Sequence, residues 1–175
     1  VVPVVKVNPL LFRDDIANIK HYIHFFSTEL KNKNFLSELF DERLFYKLAN
    51  FSDYTSVIRF LVSKLKIFDY IEDEEEYFNL VLEREKTYST IMENHIAIPH
   101  ALENKARKTV IAVAILDKVV VHEGKEVQIV LLNAINEKEN LQNLYSTIER
   151  ILSLDEINEL LISQNCKEFI KTITS

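Results

Sequence analysis

The sequence predicts an α/β fold in which a mixed β-sheet is flanked by helices on both faces. Three observations carry that expectation. Residues 110–116 and 127–135 are near-continuous apolar runs, as expected of strands covered on both sides. The stretches from about residue 53 to residue 87 carry apolar residues at three- and four-residue spacing, the pattern of helices packed by one stripe. The chain closes on further helical patterns at 139–152, 155–162 and 167–173.

Taken in order, residues 1–10 read as extended, because they are β-branched and because Pro3 and Pro9 argue against a helix. Asp14 and Asp15 open a helical stretch to about Phe26, with Ile16, Ile19, Ile23 and Phe26 along one stripe. The polar patch 29–34 is the best candidate boundary. It divides an N-terminal linker strand and helix, 1–34, from a domain over 35–175. Residues 44–48 read as a short strand. Ser52 or Asp53 can cap a helix whose stripe is Val57, Ile58, Leu61, Val62 and Leu65. Asp73 with Glu76 resembles a capping box for a helix carrying Tyr77, Phe78, Val81 and Leu82. The acidic run at 72–76 suits the positive end of that helix dipole. Strands are expected at 96–98, 110–116 and 127–135, with a short extra strand at 118–121 and a loop around Gly124.

Composition excludes several functions. The chain has one glycine, Gly124, so neither a dinucleotide-binding turn nor a phosphate loop can be built from it. With a net charge of −6 and no basic stripe, this region is not expected to bind nucleic acid directly. No apolar run approaches the roughly 20 residues that span a bilayer, so no membrane insertion is expected. The single cysteine, Cys166, cannot form an internal disulfide, which fits a cytoplasmic location. The sequence starts at Val1, without an initiator methionine, and is expected to be a piece of a longer chain.

The candidate site is the segment Ile96-Ala97-Ile98-Pro99-His100, with Arg84 16 residues upstream of the histidine. Pro99 offers no N–H to a ladder, so the strand should stop there and leave His100 at its end, where open α/β sheets usually place their chemistry. A neutral imidazole is a competent nucleophile near pH 7, and a guanidinium is well shaped to hold a phosphoryl group. Ser89 and Thr90 could donate hydroxyls to such a group. Each residue also has a plain structural reading. A histidine after a strand is more often a satisfied structural residue, and an arginine at a helix C-terminus is favoured by the dipole alone. A metal site is not expected. His95 and His100 lie five apart on an extended segment, facing opposite sides, with no third ligand near. A hydrolase is weaker still, for want of a nucleophile elbow or of a histidine near Cys166 in sequence. His21 and His24 read as surface or boundary residues, and His122 has no assigned role.

Taken together, Val81-Leu82-Glu83-Arg84-Glu85, then Ser89-Thr90, then Ile96-Ala97-Ile98-Pro99-His100 resemble the enzyme IIA domain of the fructose–mannitol type, from the bacterial phosphoenolpyruvate-dependent sugar phosphotransferase system (PTS). The resemblance covers roughly residues 35–173. It implies that His100 is the phosphoryl acceptor, that Arg84 lies beside it, and that Thr90 and Ser89 border the pocket. Asn140 stands where sugar-transporting members often carry a second histidine, and His95 where a glycine is common. The N-terminal segment resembles the join before the enzyme IIA-like module of PTS-regulated activators and antiterminators.

That resemblance implies a regulatory domain phosphorylated on a histidine by HPr or an enzyme IIB. Upstream PRD and nucleic-acid-binding modules would belong to the same chain, and a homodimer is left open. No cofactor is implied, because the donor already holds an activated phosphoryl group. One alternative is a free-standing enzyme IIA phosphocarrier of a fructose- or mannitol-type transport system. Another is an interaction module that has lost phosphorylation.

Overall fold

The two apolar runs form one long antiparallel hairpin, β3 (Lys105–His122) and β4 (Lys125–Asn136), around which the other elements assemble. A computed structural model of the chain describes residues 36, 38–154 and 157–174. The expectations for 1–10, for the helix opening at Asp14, for the patch 29–34 and for His21 and His24 lie outside the described residues. Ahead of the hairpin come a 3-10 turn at Glu42–Leu44, β1 (Phe45–Leu48), α1 (Tyr54–Ile67), α2 (Glu74–Thr87) and β2 (Ile96–Ala97). After it come α3 (Gln142–Leu152), α4 (Asn158–Ile162) and α5 (Cys166–Thr174).

The sheet runs β1-β3-β4-β2. β1 lies parallel to β3 and β2 parallel to β4, while the central pair is antiparallel, so the sheet is mixed as the sequence predicts. The hairpin link Glu123-Gly124 has positive φ at both positions, 50° and 77°. That is the requirement of a type I′ turn, whose twist matches the flanking strands. The expected separate strand at 118–121 is instead the far end of β3. It is reached through a register shift between Ile115 and Val120, at the exposed residues Asp117, Lys118 and Val119. Asp117 and Lys118 are accommodated as a bulge, and the ladder resumes at Val120↔Val127.

Strand alternation divides the core into two layers. Val110, Ala112, Ala114 and Leu116 of β3, with Val130, Leu132 and Ala134 of β4, join α1 and α2 in one apolar cluster. Into it α1 sends Tyr54, Val57, Ile58, Leu61, Val62 and Leu65, as its stripe predicts. The intervening residues Ile111, Val113, Ile115, Ile129 and Leu131 are buried too. On that side α3–α5 contribute the buried Leu144, Ile151, Leu160, Phe169 and Ile173. Phe169 packs on Phe45 at 5.6 Å between ring centroids, and Phe45 is the register partner of Val113. No described helix is long and apolar enough to cross a membrane.

Both helix caps fall where expected. Asp53 accepts from Ser56 N at 2.8 Å and Asp73 from Glu76 N at 2.7 Å. The capping box at Asp73 is only half made, however. The Glu76 carboxylate turns outward to Lys105 Nζ at 2.6 Å, because a charged partner outweighs a neutral backbone N–H.

Candidate functional site

The site begins with β2. Its register, Ile96↔Ile129 and Ala97↔Val130, carries on past the strand's formal end, so that His100 stands beside Asn133 in a parallel bridge. On its other side the segment is held by Thr90 O, which accepts from Ile98 N at 3.1 Å. Pro99 closes the ladder on the Asn133 side, accepting from Asn133 N through its carbonyl at 2.9 Å. The chain beyond is tied back to α2, where Leu102 N donates to Leu80 O at 3.1 Å. These bonds bring the histidine to the helix turn that bears Arg84.

Arg84 and His100 line one cleft of about 340 Å³. Its walls also include Ile98, Asn133 and Ile135 from the sheet, Ala101, Leu102 and Asn104 from the loop, and Leu144, Tyr145 and Ile148 from α3. Within this half-buried setting His100 Nδ1 lies 3.2 Å from Ile98 O. A carbonyl can only accept, so the contact places the ring proton on Nδ1 and leaves the lone pair on Nε2. Arg84 is held at the helix end by donating from Nη1 to Tyr88 O at 2.9 Å, a bond that leaves its other N–H groups available.

The remaining expected site residues do not line the cleft. Thr90 is buried, and its hydroxyl donates to Glu85 Oε1 in a very close contact, while its backbone N–H reaches Glu85 Oε2 at 3.3 Å. Ser89 Oγ accepts from Ile91 N at 3.3 Å. Asn140 Oδ1 accepts from Gln142 N at 3.0 Å, across the turn that leads into α3. The geometry thus brings two of the five together, and the other three hold the backbone around them.

His95 sits apart, its Nδ1 3.3 Å from Glu126 Oε2, with φ at +63°. That left-handed conformation is the physical reason a glycine suits the position. His122 packs against Tyr54 at 5.0 Å, beside a separate cavity of about 180 Å³. There burial raises the Tyr54 phenol well above its ordinary range.

Sequence reasoning overlooked Asn133. It is 6% exposed and lines the cleft, and its Oδ1 is buried without a hydrogen-bond partner. An unpaired buried amide costs about 1–3 kcal/mol. The available signal is an amide inside the apolar run 129–135, which is otherwise unbroken.

The fold and cleft define a class: an α/β domain whose strand exit presents a histidine to a helix-borne arginine. The chain belongs to the EIIA 2 family of the phosphoenolpyruvate-dependent sugar phosphotransferase system, whose model matches residues 38–175. It is 33% identical over 154 residues to the probable licABCH operon regulator of Bacillus subtilis (strain 168). That match covers 86% of this chain and 23% of the regulator, so the chain spans under a quarter of that relative's length. Among solved structures, the mannitol IIA of Escherichia coli superposes with a TM-score of 0.60 at 21% identity, covering 79% of this chain and 97% of that one. The complex of the E. coli mannitol enzyme IIA with phosphorylated enzyme IIB gives 0.62 at 22% identity, covering 77% and 98%. These two likenesses establish the fold.

Proposed function

We propose that this domain accepts a phosphoryl group on Nε2 of His100 and that the added charge regulates transcription in response to sugar supply. The observation that carries the reading is the shared cleft: a guanidinium and an imidazole with its Nδ1 proton engaged stand together. In the step, the Nε2 lone pair attacks phosphorus in line. The phosphorus bond of the donor breaks, and its electron pair returns to the donor's histidine nitrogen in HPr or cysteine sulfur in an enzyme IIB. Arg84 offsets charge on the equatorial oxygens, and the ring proton stays on Nδ1, donated to Ile98 O. Thr90 and Ser89 act by holding the segment between α2 and β2. Asn140 acts by setting the start of α3.

The operon-regulator relative supports a regulatory role, and the relative in complex with phosphorylated enzyme IIB supports a donor of that kind. On this reading residues 35–175 are one module of a longer cytoplasmic regulator, following PRD and nucleic-acid-binding modules. A gain of nearly two negative charges would alter packing against those modules. Incubation with phosphoenolpyruvate, enzyme I and HPr, or with a phosphorylated enzyme IIB, should add one phosphoryl group, absent from His100→Ala. An unchanged mass with both donors would overturn the proposal.

A further inference from the structure

We infer that Asn133 is a phosphoryl-positioning residue of this site, an inference that rests on the acceptor reading of His100. Register fixes where its side chain stands. His100 and Asn133 are direct partners of a parallel pair, so their side chains rise from the same face of the sheet, one strand spacing apart. The other neighbours of Asn133 on that face are apolar: Ile111 across the hairpin and Leu131 and Ile135 along β4. Against them its Oδ1 finds no hydrogen-bond partner, although the residue is only 6% exposed. It nevertheless lines the cleft that holds Arg84 and His100.

A buried amide without a partner destabilises the resting protein, and an apolar side chain of similar volume would remove that cost. The orphaned Oδ1 can only accept, but the Nδ2 end of the same amide gains a partner once an acceptor-only group with several oxygens arrives on the neighbouring ring. A phosphoryl group on His100 Nε2 is such a group, and an Asn133 N–H can donate to one of its oxygens while Arg84 takes others. Asn140, engaged with Gln142 N ahead of α3 and outside the cleft lining, leaves that role to Asn133. No bond is made or broken at Asn133. Its contribution is a hydrogen bond made to the transferring group.

The test compares the full chain with Asn133→Leu and Asn133→Asp, using HPr phosphorylated by enzyme I and, separately, a phosphorylated enzyme IIB. Asn133→Leu should melt higher than wild type, yet lose on the order of tenfold in the rate of phosphoryl transfer. Asn133→Asp should lose more, through repulsion of the incoming charge. In the wild type, the Asn133 side-chain NH₂ resonances should shift on phosphorylation, a change that a purely structural amide would not show. If wild type is phosphorylated and Asn133→Leu matches its rate with the NH₂ signals unmoved, this inference falls and the acceptor reading stands. If wild type takes no phosphoryl group from either donor, both fall.

Discussion

Thr90 donates its hydroxyl to the carboxylate of Glu85, and this clip fastens the end of α2 to the segment that pairs with β2. Arg84 sits one residue before the clip and His100 ten residues after it, so the contact sets the spacing of the two groups that share the cleft. Thr90→Val should lower stability by about 2 kcal/mol, because it strips a part-buried carboxylate of a donor. Paired with Glu85→Gln in urea unfolding, the two changes should be strongly non-additive. Additive losses would mean that the hydroxyl acts elsewhere.

Arg84→Ala should slow phosphoryl transfer by about a hundredfold, the usual scale for losing a preorganised group that meets developing charge. Stability should move by no more than about 0.5 kcal/mol, since the side chain is half-exposed at a helix end. Single-turnover transfer from phosphorylated HPr and thermal melting would separate the two effects. A parallel fall in both would argue for a structural arginine.

Much of this arrangement was legible before any coordinates. Pro99 marked the strand exit, Asp53 and Asp73 marked helix starts, and the two apolar runs marked the buried strands. What stayed hidden depends on register and on distant partners. Residues 118–121 look like a separate short strand, because the bulge that joins them to β3 is specified only by the partner strand. Thr90 offers a hydroxyl to any acceptor, and only the way α2 ends at Tyr88 turns it to Glu85. Asn133 reads as a blemish in a strand until pairing sets it beside His100. The positive φ of His95 has no counterpart in composition at all.

Phe169 is fully buried and meets Phe40 at 5.9 Å and Phe45 at 5.6 Å, joining α5 to the sheet edge at β1. Phe169→Ala should therefore cost about 3–5 kcal/mol. The change should appear as a fall in the midpoint of denaturant unfolding. A loss under about 1 kcal/mol would show that α5 contributes little to the cooperative unit.

Stability should also fall in acid through Asp41. Hydrogen bonds from Arg43, and a further one from Tyr70, hold its carboxyl at about 2, below the ordinary 3.8. A depressed folded value means that the stabilisation is present above the unfolded value and is lost as pH falls from near 4 toward 2. Because Arg43 is exposed, the contribution is at most about 2 kcal/mol. Asp41→Asn should flatten the acid limb of the unfolding curve in that window, and an unaltered limb would contradict the assignment.

Everything proposed for this site turns on which atom of which ring takes the phosphoryl group. Long-range proton–nitrogen NMR of the histidine rings, recorded before and after transfer from phosphorylated HPr or enzyme IIB, reads this out. The acceptor assignment requires phosphorus coupling to Nε2 of His100, with Nδ1 still protonated and donating to Ile98 O. Coupling at Nδ1, or at the ring of His95 or His122, would contradict it.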